Sequence, residues 1–203
     1  MKQNKGYNMK RIGITGGVGS GKSLVLNWFE NLEKTFVCQA DLVAHELQQP
    51  GNICYERIVA HFGEQILNEN REINRARLGE IVFADSNQLE ELNRIVHPEV
   101  NRHIVFLMEK AKEQGIEYFI LEAALLHDPF YREILDEIWY IHVSESVRRE
   151  RLAKSRGYSQ EKMTNMMVNQ PSEECFYKIS DRVIENDSDF ENTEKQLRTA
   201  LGI

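Results

Sequence analysis

Short apolar runs alternate along the chain with segments whose apolar residues recur at helical spacing. "KRIGIT" (10–15) leads straight into glycines and predicts a buried strand. After Lys22, apolar residues fall at Val25, Trp28, Phe29 and Leu32, the stripe of an amphipathic helix. "TFVCQAD" (35–41) predicts a second strand that ends in an acid, followed by a helix over "LVAHEL". Residues 53–113 read as mostly helical. Within them Pro98 predicts a helix start, because proline suits a first turn, and Val100, Ile104, Leu107, Met108 and Ala111 then keep helical spacing. "EYFIL" (117–121) ends at Glu122, "EIWYIHV" (137–143) is a fourth strand, and "DRVIEN" (181–186) is a fifth, followed by a helix to about Leu201.

Most of these strands are continuous apolar runs separated by helices. That pattern predicts an α/β fold, a five-stranded parallel sheet covered by helices on both faces. Such sheets bind ligands at the carboxyl ends of their strands. Here those ends carry a glycine loop, Asp41, Glu122 and a basic stretch.

The glycine loop, Gly16-x-x-x-x-Gly21-Lys22-Ser23, has the Walker A pattern in its expected strand–loop–helix setting. Glycines let the backbone N–H groups turn inward, and the following helix presents its positive end to phosphate. Lys22 can reach the β- and γ-phosphates, and the Ser23 hydroxyl can ligate Mg²⁺. Asp41 has two readings: a carboxylate that takes a proton from an acceptor hydroxyl, or a helix N-cap. Glu122 can hold a Mg²⁺-bound water, or is a surface acid at a strand boundary. Residues 147–156, "VRRERLAKSR", carry five basic groups against one acid. Arg148 and Arg151, and again Arg151 and Lys154, share a helix face by their spacing. That face reads either as a lid over a triphosphate or as a solvated surface.

Composition narrows the setting. The formal net charge is −7, which disfavours non-specific nucleic-acid or membrane binding. The longest apolar run, "IVFLM" (104–108), falls far short of the roughly 20 residues that span a bilayer, and no secretory core follows the basic N-terminus. A cytoplasmic protein is expected. Cys38, Cys54 and Cys175 are scattered without metal-ligand spacing and are expected to be reduced thiols. The histidines show no ligand spacing either.

Together with the glycine loop, "ADLVAHELQQPG" (40–51), "HFG" (61–63), "NRARLGEIVF" (74–83), "LNRIVHPEV" (92–100), "EAALL" (122–126) and "SDRVIENDSDFENTEKQL" (180–197) occur in the order and spacing of bacterial dephospho-CoA kinases. The chain resembles that family over almost its whole length. The resemblance implies a P-loop NTPase, nucleoside-kinase-like three-layer fold. It would comprise a core (9–52, 114–144, 171–203), a helical substrate-binding insertion (about 53–113) and a lid (about 145–170). It implies transfer of the γ-phosphoryl of ATP, with Mg²⁺, to the ribose 3′-hydroxyl of dephospho-CoA, by a monomer or weak oligomer. By the same resemblance, Gly17, Val18, Gly19, Ser20, Gly21, Lys22, Ser23 and Leu24 would hold the nucleotide with Arg148, Arg151 and Arg156. Asp41 and Lys22 would be catalytic, with Asp41 orienting and deprotonating the 3′-hydroxyl; Ser23 and Glu122 would hold the metal, and Asp41, Arg75 and His97 would contact the acceptor.

Several positions depart from the family pattern. Gln39 replaces the first acid of its D-A-D, His45 an arginine, Leu24 a threonine, Ala124 a proline, and Ser155 and Met166 two lid arginines. Family members start close to the first strand, so Met9 fits a start, and residues 1–8 read as an extension or a misassigned beginning. Two other functions stay open: a P-loop kinase for a nucleoside monophosphate or similar acceptor, and a degenerate ATP-binding module. A GTPase switch is disfavoured, since no D-x-x-G or N-K-x-D follows the loop.

Overall fold

The structure, a computed structural model, describes residues 9–123 and 126–203. The readings of residues 1–8 and of Ala124 lie outside them. The elements run β1 (Lys10–Thr15), α1 (Lys22–Glu30), β2 (Thr35–Gln39), α2 (Ala40–Leu47), α3 (Ile53–Phe62), a 3₁₀ turn (Glu64–Ile66), α4 (Arg75–Ala84), α5 (Ser86–Glu113), β3 (Tyr118–Glu122), α6 (Pro129–Ile134), β4 (Glu137–His142), α7 (Glu145–Arg156), α8 (Gln160–Val168), α9 (Glu173–Ile179), β5 (Arg182–Glu185) and α10 (Phe190–Leu201). The chain groups into two compact units, one up to Val37 with Ala111–Ile203, the other Cys38–Lys110.

The first unit is built on the sheet, ordered β2-β3-β1-β4-β5. The β1–β3, β1–β4 and β4–β5 ladders are parallel. Strand β1 is central, so the loop that follows it emerges between the ends of β3 and β4. Register sets Ile14 opposite both Glu122 and Trp139, and His142 opposite Glu185. Side chains alternate across the sheet. On one face Ile12, Ile14, Ile120, Trp139, Ile141 and Ile184 pack with Val25, Leu26 and Phe29 of α1 and Leu197 of α10. On the other face Tyr140 stacks on Phe176 of α9, with ring centroids 5.1 Å apart. This is the expected three-layer arrangement. Among the described residues no helix is long and apolar enough to cross a membrane.

The second unit is helical, as the spacing predicts. The 3₁₀ turn meets α3 and α4, and an isolated antiparallel bridge joins Leu67 to Ile73. Buried Glu99 on α5 accepts from Arg57 of α3 (2.7 Å) and from Arg102 one turn on (2.5 Å), so its charge is paired where it leaves water. Pro98 does not start a helix: it lies inside α5, which runs unbroken from Ser86 to Glu113. An interior proline costs about 3 kcal/mol. The buried stripe Val96, Val100 and Ile104 on either side of it returns about 1.5–3 kcal/mol per side chain, so continuity wins. Cys38 and Cys54 are buried, and burial pushes the Cys38 thiol up to about 12. Burial also raises the Cys54 thiol, with Glu99 adding to it.

Candidate active site

The carboxyl end of β1 turns through Gly16–Gly21 into α1. Gly21 is the helix N-cap, in the left-handed region (φ 83°), where a side chain is strained. It also needs to be bare, because a Cβ there would run into the Asn186 amide. At Gly17 a Cβ would meet the Arg148 guanidinium. The loop thus accepts side chains from other elements at atomic contact. Leu24 N–H (3.0 Å) and Val25 N–H (3.4 Å) donate to Gly21 O and start the helix, and Ser20 N–H donates to Gly17 O (3.2 Å). No acid sits in the first turn of α1 and its N-cap glycine has no side chain to cap it, so its positive end suits an anion. Lys22 Nζ folds back over the loop and donates to Gly16 O (2.6 Å) and Gly17 O (3.5 Å). Ser23 and Leu24 are exposed in the first helical turn.

Helix α7 lies against this loop. Leu152 is buried, and both its side chain and the Arg148 backbone lie 3.1 Å from the point where a Gly19 Cβ would stand. The basic stretch divides by role. Arg148 reaches Gly17, and Arg151 donates from Nη2 to Asn186 O (2.7 Å) beside Gly21. Arg148 Nε and Arg151 Nη1 are buried with no acceptor among the described residues. Arg149 instead pairs with Glu145 (2.7 Å) and donates to Thr164 (3.2 Å), tying α7 to α8. Lys154 pairs with Glu150 (2.7 Å). Arg156 is exposed, with its guanidinium 5.9 Å from the Tyr158 ring centre. Ser155 bonds back to Arg151 O (2.7 Å).

Two residues that sequence reasoning gave no role also hold the loop. Gln170 Oε1 accepts from Val18 N–H (3.0 Å), and Asn186 Nδ2 donates to Ser20 O (2.8 Å). Both partners are more than 150 residues away in the chain, so no local pattern could reveal them. Asn186 stood in plain sight as the last letter of "DRVIEN". Glu122 is half-buried at the end of β3.

His142, at the end of β4, lies between Glu185 (2.6 Å) and Glu173 (3.0 Å). Burial alone would lower its pKa, but hydrogen bonds and charges from Glu185 and Glu173 outweigh that, and the net shift is upward from 6.5. The charged imidazole therefore favours the folded state below pH 6.5, and that contribution is lost as pH rises through the raised value. Urea unfolding is expected to show wild type gaining on His142→Gln as pH falls. Both carboxylates are largely exposed, so the gain should be small and shrink in salt. A difference independent of pH would remove this role.

In the second unit Asp41 is exposed in the first turn of α2. Gln39, not Asp41, occupies the N-cap, so the capping reading fails. Arg75 Nη2 touches His45 Nδ1, bringing a guanidinium to the position that departs from the family pattern. His97 is exposed on α5.

A parallel sheet whose central strand feeds a Walker loop under an arginine helix is the build of the P-loop kinases. Comparison with known proteins narrows that class. Residues 10–192 match the family described as dephospho-CoA kinase. A dephospho-CoA kinase of Carboxydothermus hydrogenoformans is 36% identical over 191 residues, 94% of this chain and 92% of the relative. Among solved structures, TT1252 from Thermus thermophilus superposes with a TM-score of 0.79 at 27% identity, over 96% of this chain and 97% of its own. Dephospho-CoA kinase from Campylobacter jejuni, at 20% identity, shares the fold with a TM-score of 0.69 over 95% of each chain. The chain belongs to the dephospho-CoA kinase family.

Proposed function

We propose that the chain transfers the γ-phosphoryl of ATP to the ribose 3′-hydroxyl of dephospho-CoA, in the cytoplasm, as a monomer or weak oligomer without nucleic-acid or membrane partners. The observation that carries the reading is the pair Arg148 and Arg151. Each is set against the glycine loop, and each keeps a buried guanidinium nitrogen with no acceptor among the described residues. Buried donors of this kind call for a ligand anion.

The loop N–H groups from Gly17 to Ser23, the start of α1 and Lys22 would bind the phosphates. Ser23 and Glu122 offer only oxygen donors, which suit Mg²⁺, and they would hold it. The ion, when bound, offsets phosphate charge. Asp41 would accept the 3′-hydroxyl proton while that oxygen bonds to the γ-phosphorus and the bridge to ADP breaks. The insertion, with Arg75 and His97, would seat the acceptor. Helices α7 and α8 would act as the lid and exclude water, which competes with the acceptor.

Within the lid Arg151 would stand in for the guanidinium missing at Ser155, a reading supported by its place beside Gly21, whereas Arg156 is exposed near Tyr158. Arg151→Ala is expected to lower kcat by about a hundredfold or more, and Arg156→Ala by less than about threefold. Steady-state kinetics of the two variants decide it. Equal effects, or none, would remove the lid assignment. ADP release against a panel of nucleosides, nucleoside monophosphates and dephospho-CoA tests the acceptor. Stimulation by dephospho-CoA alone is expected, and stimulation by other members instead would point to another small-molecule kinase.

A further inference from the structure

Asn186 follows β5 and is 2% exposed, yet its polar groups are all engaged. Its N–H donates to His142 O (2.9 Å), and its carbonyl accepts from Arg151 Nη2 (2.7 Å). Its Nδ2 donates to Ser20 O (2.8 Å), and its Oδ1 accepts from the hydroxyl of Thr193 (2.8 Å), a fully buried residue of α10. The Thr193 hydroxyl lies nearer Oδ1 (2.8 Å) than Glu185 O (3.2 Å), and Ser20 O can only accept, so the amide NH₂ faces Ser20. The Ser20–Gly21 peptide is trans, so holding the Ser20 carbonyl toward Asn186 points the Gly21 N–H the opposite way. The unsatisfied Arg151 Nη1 lies 3.6 Å from the position of a Gly21 Cβ.

We infer that Asn186 is a positioning residue for the phosphate site: its side chain fixes the Ser20–Gly21 peptide while its backbone carbonyl anchors Arg151. One residue thereby sets the loop N–H and the lid guanidinium toward the same phosphate. The inference rests on the phosphoryl-transfer reading above. It gives the end of the "DRVIEN" motif a task in nucleotide binding and not only in ending a strand.

The test is ATP binding by calorimetry on the full chain, with thermal unfolding and the KM for dephospho-CoA measured alongside. Asn186→Ala is expected to weaken ATP binding by about tenfold, the scale of a buried hydrogen bond, and to leave the dephospho-CoA KM unchanged. Asn186→Asp keeps the size but offers no N–H to the Ser20 carbonyl, so it should bind ATP no better than the alanine variant. Thr193→Val, which releases the amide together with a longer contact to Glu185 O (3.2 Å), should show the same signature with a smaller factor. Wild-type ATP affinity in Asn186→Asp would make Asn186 a packing residue and overturn the inference. Should the Asn186 variants fail to fold, wild-type ATP affinity in Thr193→Val overturns it equally. If the wild type binds ATP but releases no ADP with dephospho-CoA, the proposed reaction fails instead, and the binding comparison still decides the role of Asn186.

Discussion

Lys22→Ala is expected to lower acceptor-dependent turnover by about three powers of ten or more and to weaken ATP binding as well. The size follows from two tasks resting on one ammonium group. Its Nζ lies 2.6 Å from Gly16 O and 3.5 Å from Gly17 O, so it draws two carbonyls of the loop together. It is also the cation built into the loop sequence itself, and a triphosphate needs that charge most as electron density moves to the departing ADP. Alanine removes both effects. Lys22→Met keeps the length without the charge and should recover little turnover. Single-turnover kinetics with calorimetric ATP binding separate the two. Turnover near wild type in either variant would show that the loop does not serve phosphoryl transfer.

Asp41→Asn should behave differently: a fall in kcat of about a hundred- to ten-thousandfold with ATP affinity almost intact. Asn keeps the shape and removes the proton acceptor. The structural cost should be slight, because Asp41 is exposed and Gln39, not Asp41, occupies the N-cap of α2. Only the favourable meeting of a carboxylate with a helix start is lost, worth about 0.3–1 kcal/mol. The pair of variants therefore distinguishes a binding group from a proton acceptor. If Asp41→Asn turned over at the normal rate, Asp41 could not be the base.

The centre of the sheet was legible in sequence because β1, β3 and β4 are largely buried on both faces and read as apolar runs, whereas the edge strands β2 and β5 are more exposed. "KRIGIT" is β1 residue for residue, and the other strands differ only at their ends. The Walker loop was legible because its glycines and lysine are contiguous. Pro98 misled because a local rule about first turns ignored the buried stripe passing through it. Asp41 was ambiguous for a similar reason: the strand stops two residues earlier than the apolar run suggests, and this moves the cap to Gln39. The short helix α6, a single turn or so opened by Asp128 and Pro129, left too little periodicity to find. Spacing could place Arg148 and Arg151 on one face, but it could not tell them from Lys154, which pairs with Glu150. Gln170, Asn186 and Thr193 depend on contacts between distant segments, and only the folded chain assembles those.

The most direct test of the account is ADP and CoA measured together in one reaction of the purified chain with ATP and Mg²⁺, with and without dephospho-CoA. The account predicts ADP and 3′-phosphorylated product in equal amounts when dephospho-CoA is present, and little ADP without it. Tight ATP binding with no acceptor-dependent ADP, or ADP formed equally without acceptor, would contradict it.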